Sequence, residues 1–308
     1  MIGFFRWCYA QAPLLLCLTT LGWAGNAIAG KLSVNEISPM VVVWMRWTIV
    51  VLLLVSIRRH KLLDDFTILK SRKLWLCCMG GLGLTGFNAL FYLAAQYTSA
   101  IHLGLIQSIM PALIIFGVAF IFRVPLSLIE MTGCSLTILG VIIIITKGDL
   151  LSLLGADIGK GDLFMLCACL LYAGYTIGLR IRPELDGMGM MTWLAIIAWI
   201  CSFPLLAIEY GYGAIQFPSG SAWLTILFIA IVPSFLSQLF YMRAVDLTSP
   251  NIAGIYTNMV PIYVSVLAVL VLGEQFTASH AISLILVGTG LWLATIIAPK
   301  YKQKGRIK

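Results

Sequence analysis

One arginine, Arg46, is the only clear charge inside a long apolar stretch of this sequence. A guanidinium surrounded by hydrocarbon is costly, and such residues normally face the interior of a bundle and mark a solute or ion pathway. At a helical rise of 1.5 Å per residue, its place about seven residues into the stretch puts it ~10 Å deep. Two prolines, Pro111 and Pro261, fall near the middle of two other apolar stretches. Each lacks the N–H that would bond the carbonyl four residues earlier, that of Gln107 or Thr257, so water, a side chain or a solute must replace the bond. Gln107 and Ser108 in one stretch, and Thr257 and Asn258 in the other, bring polar groups to that depth. Asn26, Asn88 and Gln238 extend this to a polar ring. Trp23, Tyr92, Tyr172, Tyr175, Tyr241 and Tyr256 offer aromatic walls able to take an ammonium face-on.

Each residue also has a plainer reading. Arg46 could snorkel to an interface, the amides could bond helix to helix, the aromatics could pack or anchor, and the prolines could only shape the bundle. The acids narrow the chemistry. Glu36, Glu209 and Glu274 map near one set of helix ends and Glu130 near the other, so no carboxylate is expected at mid-depth and a central-acid proton pump is disfavoured. His102, near a helix end, titrates in the physiological range or simply packs. An arginine with no nearby acid makes a neutral to electropositive cavity, which favours carboxylate-bearing solutes over purely cationic ones.

Other chemistries find no support. There is no His-Glu-x-x-His or Gly-x-Ser-x-Gly, and the three histidines are not grouped, so an enzyme is not expected. Gly80, Gly81, Gly83 and Gly86 follow no strand and read as a close helix approach rather than a nucleotide loop. The eight cysteines, Cys8, Cys17, Cys77, Cys78, Cys134, Cys167, Cys169 and Cys201, lack metal-ligand spacing and read as small hydrophobes. No metal or cofactor is expected. A sugar-nucleotide solute would demand several cavity-facing basic residues, and only Arg46 is available.

The elements that position these residues are membrane spans. The sequence is 61% hydrophobic and 10% charged, against about 25% charged in soluble chains. Apolar runs long enough to cross ~30 Å of hydrocarbon recur throughout, and in that medium they must be helices. The expected spans are 12–30, 39–57, 74–95, 98–122, 127–146, 162–180, 189–209, 221–243, 249–272 and 277–298. Arg6 with Ala27-Ile28-Ala29 imitates a signal peptide, but the same pattern recurs in the second half, where cleavage is impossible. Basic residues concentrate on one side. Arg6, Arg58, Arg59, Lys61, Lys70, Arg72, Lys73, Arg123, Arg180, Arg182, Arg243 and the tail from Lys300 to Lys308 oppose only Lys31, Lys147 and Lys160. Positive-inside bias therefore puts both termini in the cytoplasm, and explains the net charge of +8 without nucleic acid. The basic tail could also meet anionic membrane lipid.

An offset near 150 residues relates the two halves. Leu90-Phe91-Tyr92 recurs as Leu239-Phe240-Tyr241, Thr98-Ser99 as Thr248-Ser249, and Trp23-Ala24-Gly25 as Tyr172-Ala173-Gly174. Gly104, Pro111 and Gly140 recur as Gly254, Pro261 and Gly290. Five spans per half is an odd number, so the halves must face opposite ways, a plan in which the solute site lies at the repeat interface near the midplane. The expectation is an all-α integral membrane protein of ten transmembrane helices in two inverted five-helix repeats. Residues 1–148 and 161–298 form the repeats, 149–160 connects them, and 299–308 is a cytoplasmic tail.

Trp23 to Asn26, Arg46-Trp47, the segments ending at Pro111 and Pro261, Leu272-Gly273-Glu274, and the glycines Gly133, Gly140 and Gly290 together make a pattern. In these the chain resembles the drug/metabolite transporter superfamily, specifically its EamA-type ten-helix carriers. The resemblance spans essentially the whole chain. It implies a carrier of small metabolites, often amino acids, across the bacterial inner membrane. One departure is visible: the Gly-Glu after the proline helix has Arg123-Val124 at the matching place in the first half. A channel or lipid scramblase is the rival membrane reading.

Overall fold

The computed structural model describes residues 9–149, 159–248 and 256–297. Arg6, Cys8, Ser249, Gly254, most of the 149–160 connection and the 299–308 tail lie outside them. Nine helical runs among the described residues are long and apolar enough to cross a membrane. They are α1 (Ala12–Leu32), α2 (Pro39–Arg58), α3 (Leu62–Tyr97), α4 (Ala100–Phe122), α5 (Leu128–Ile145), α6 (Lys160–Ile181), α7 (Gly187–Gly211), α8 (Ala222–Leu247) and, after a shorter apolar helix, α10 (Ala278–Ile297). That shorter helix is α9 (Val260–Leu272). Within the span expected over 249–272, Tyr256 and Thr257 are helical, Asn258 and Met259 turn, and α9 runs on from Val260.

Prolines decide where α4 and α9 break. Helix Ala100–Gln107 stops, Ser108 and Ile109 turn back to the carbonyls of Leu105 and Ile106, and a new helix starts at Met110 with Pro111 in its first turn. Met259 turns back to Tyr256 in the same way before Pro261 enters the first turn of α9. Proline belongs at such a start because its missing N–H is unpaired there in any case. The continuous kinked span expected over 98–122 is therefore two helices end to end.

α3 and α8 share another irregularity at matching depth. Cys78–Gly86 and Ala230–Leu236 are both wound as π-helix. The cause differs: four glycines loosen the first, while Pro233 interrupts the second and Ser234 bonds the carbonyl of Ile229 five residues back.

Packing repeats with the sequence. α1 packs on α8 and α9, and the equivalent α6 packs on α3 and α4; α5 packs on α10, and α2 on α7. The equivalent helices α2 and α7 run antiparallel, as their end contacts show. At one end Glu209 of α7 accepts from Ser38 Oγ (2.6 Å) and the Met40 N–H (3.1 Å), at the start of α2. At the other, Arg58 closing α2 pairs with Asp65 (2.5 Å) and with Asp186, the N-cap of α7. Desolvation pushes the Asp186 carboxyl up, but the Gly189 N–H and Arg58 outweigh it and hold the group below the ordinary carboxylate value. Its contribution is therefore present at neutral pH and is lost as pH falls through that lowered value.

Small residues bring α5 and α10 together. A Cβ at Gly133 would lie 2.6 Å from the carbonyl oxygen of Gly290, and one at Gly290 would lie 2.5 Å from that of Gly133. Glu274, at the end of α9, reaches across to α4 and accepts from the N–H groups of Ala100 (2.7 Å) and Ile101 (3.0 Å). A carboxylate there satisfies two unpaired helix donors and suits the positive end of the helix dipole. This gives the unpaired Gly-Glu motif a concrete role.

Candidate functional site

Arg46 is brought into a polar core by its helix neighbours. It is 8% exposed, and where α2 packs on the second part of α3 its side chain reaches across to that helix. Its Nη1 donates to Asn88 Oδ1 at 2.5 Å and to Tyr92 Oη at 3.0 Å. Tyr92 Oη in turn donates to Asn26 Oδ1 of α1 at 2.9 Å, and Asn88 Nδ2 donates to the Leu84 carbonyl in the π-wound stretch. One turn separates Asn88 from Tyr92, so a single face of α3 presents both.

In this network Asn88 and Tyr92 each donate and accept, while the charged side is incomplete. Arg46 Nε is buried without a hydrogen-bond partner. Among the described residues no carboxylate pairs with Arg46; the ion pairs present involve Arg58 and His102. A buried cation whose partners are all neutral is an electrostatic deficit that an anionic group would relieve.

The Arg46 guanidinium lies over the Trp47 ring, 5.5 Å from its centroid, and further aromatic pairs join the neighbouring helices. Trp23 and Tyr241 stand 5.4 Å apart between centroids, joining α1 to α8. Phe87 meets Tyr172 at 4.9 Å, and Tyr172 meets Tyr175 at 5.4 Å, joining α3 to α6. Tyr256 packs with Tyr241 against Ala12, Leu15 and Leu16, nearer the start of α1. Gln238 is half-buried on α8 beside Ser237, whose carbonyl accepts from Thr19 of α1.

Other expected members go elsewhere. Asn258 Nδ2 donates to Thr295 Oγ1 of α10 at 3.3 Å, and its Oδ1 is buried without a partner; no contact joins it to Arg46. Ser108 folds back onto its own helix, donating to the Gly104 carbonyl. Gln107 is half-buried at the break in α4, where the new helix beyond it starts at Pro111's turn. Pro111 and Pro261 each stand in the first turn of a helix. Phe87 and Phe91 were not among the expected site residues. Phe87 touches both Phe91 and Tyr172, and only its recurrence one turn before Phe91 hinted at a shared face.

Against known proteins, the EamA-like transporter family matches twice, over residues 11–146 and 159–296. Relatives include the uncharacterized transporter YyaM of Bacillus subtilis, 25% identical over 73% of this chain and 75% of its own length. A second is the uncharacterized transporter YetK of the same organism, 22% identical over 93% and 87%. A third is the uncharacterized inner membrane transporter YicL of Salmonella typhimurium, 23% identical over 75% and 76%. A solved crystal structure aligns with a TM-score of 0.65 at 18% identity, covering 94% of this chain and 98% of the other, and so shares its fold. Two matches that together span nearly all of an apolar, helical, internally repeated chain settle its kinship: it belongs to the EamA-like transporter family.

Proposed function

We propose that this membrane transporter is a secondary carrier of small carboxylate-bearing metabolites, amino acids foremost, working by alternating access. The observation that supports it is the buried guanidinium of Arg46, held by Asn88 and Tyr92 with no acidic partner among the described residues. A solute carboxylate supplies the missing charge, and the tyrosines and tryptophan nearby suit its ammonium. Residues 1–148 and 161–298 act as the two moving repeats. Breaks at Pro111 and Pro261, one in each repeat, are suited to hinging.

The working topology has ten spans, α9 belonging to the one expected over 249–272, with both termini cytoplasmic. Arg58, Arg59, Lys61, Arg123, Arg180 and Arg182 lie toward one end of the bundle, while Lys31, Lys147 and Lys160 lie toward the other. That asymmetry supports the Arg58 end as cytoplasmic. A relative described as an inner membrane transporter makes the inner membrane the natural location.

Counterflow in proteoliposomes tests the carrier reading. Vesicles loaded with mixed unlabelled amino acids should accumulate particular labelled ones transiently and saturably. Non-saturable equilibration without counterflow would favour a channel or scramblase. Failure of the whole panel in folded protein would move the search to other metabolites.

A further inference from the structure

At the Lys31 end of the bundle lies a second polar assembly that the Arg46 site does not use. Asp162, in the first turn of α6, is 5% exposed. Its Oδ1 accepts from Thr98 Oγ1 at 2.7 Å and faces Nδ1 of the buried His102 at 3.3 Å. Thr98 closes α3, and its carbonyl, with that of Ala95, accepts from Lys31 Nζ at 2.9 and 3.0 Å. Glu274 holds the first N–H groups of α4 from the opposite repeat.

These contacts share a geometry: most cross from one repeat to the other. Asp162 and Glu274 belong to the second half; Thr98, His102 and the start of α4 belong to the first. His102 sits on the first of the two helices that make up α4, ahead of the break at Ser108 and Ile109. Movement of that helix relative to α6 must open the His102–Asp162 contact.

We propose that His102 and Asp162 form a proton-operated latch across the repeat interface. With a proton taken from solvent at this end, His102 becomes an imidazolium and the contact becomes an ion pair that holds α4 against α6. When the proton leaves, a neutral hydrogen bond remains and this end opens more readily. Acid therefore closes the Lys31 end and rising pH releases it. Imidazole is the side chain whose ordinary titration falls between about pH 5 and 8.

The other charges facing the pair act in both directions. The His280 ring of α10 is 5.7 Å from the His102 ring, and its Nδ1 accepts from the Thr277 N–H. Lys147, after α5, and Glu274 line the same cavity of about 410 Å³ as the two histidines. A proton on His280, and the charge of Lys147, oppose a proton on His102; Glu274 and Asp162 favour it. Lys31 is held by two carbonyls and approaches Asp162 only through Thr98. The Asp162 contact is the direct one, at 3.3 Å. A shared metal is not the explanation, since among the described residues no three His, Cys, Asp or Glu side chains are placed to hold one.

The latch is testable without any solute, so its failure is separate from failure of the transport reading. Purified protein in detergent is melted from about pH 5 to 8, the imidazole range, as wild type, His102→Gln, Asp162→Asn and His280→Gln. The wild type should lose stability relative to H102Q as pH rises, D162N should abolish that pH-dependent difference, and H280Q should preserve it. Amide hydrogen exchange, compared between proteins at the same pH, should show severalfold weaker protection in the first helix of α4 for H102Q at the acid end and no difference at the alkaline end. A pH-independent offset between wild type and H102Q, or equal α4 protection at both extremes, overturns the proposal. If either variant fails to fold, exchange in the wild type decides: protection of α4, corrected for intrinsic chemistry, must fall with rising pH.

Discussion

Replacing Arg46 with alanine is expected to abolish most transport of carboxylate-bearing solutes while leaving the protein folded. A hydrogen bond to a charged group contributes about 1.5–3 kcal/mol, so the half-saturating solute concentration should rise roughly 10- to 150-fold. The fold should survive because the guanidinium has no buried counter-charge to strand, and Tyr92 keeps its bond to Asn26. Lysine at the same place should be intermediate, since an ammonium keeps the charge but cannot hold Asn88, Tyr92 and a carboxylate in one planar fork. The reading is a counterflow saturation curve alongside a melting curve in detergent. Unchanged carboxylate transport by the alanine variant would remove Arg46 from the site.

The second large effect lies far from that site. Gly133→Ala and Gly290→Ala should each cost about 3 kcal/mol or more, at the upper end of overpacking penalties. The atoms a Cβ would strike are backbone: the carbonyl oxygen of Gly290 and the Ala294 nitrogen (2.6 and 2.7 Å) for the first, and the carbonyl oxygen of Gly133 for the second. A side chain can swing aside; a helix backbone cannot, so α5 and α10 must part. Gly288 is the internal control, on the same helix with nothing within 4 Å of an added Cβ. Gly288→Ala should be neutral or slightly stabilising, because alanine is the better helix former. Yield of monodisperse protein and melting temperature read all three, and a stable G133A would contradict the close contact.

Much of the fold was legible because hydrocarbon imposes a length. The expected 12–30 and 39–57 differ from Ala12–Leu32 and Pro39–Arg58 by at most two residues. The place of the proline irregularities was legible too, since a missing N–H acts locally, although a kink was expected where the helix stops and restarts. Distant pairing was less so. Asn26, Arg46, Asn88 and Tyr92 could be named singly, but bonds across 42, 46 and 66 residues depend on how three helices rotate against one another. Glu274 looked like a family motif with no partner, because the donors it caps stand more than 170 residues earlier. Asp162 marked only the polar edge of a span, and His102 only an interface. The bond from Asn258 to Thr295 was hidden for the same reason, since it too depends on how two helices rotate against each other. The short helix Leu62–Leu69, which leads into α3, escaped notice because its apolar residues are interleaved with Asp64 and Asp65 and flanked by basic residues.

The most direct test of the central claim compares three competitors in wild-type counterflow of a transported amino acid: the amino acid itself, its amide and the amine lacking the carboxyl group. If a carboxylate completes the charge of Arg46, the free amino acid competes and the amide and amine do so far more weakly. Equal competition by all three would show that the carboxylate is not what the site recognises, and would contradict the account.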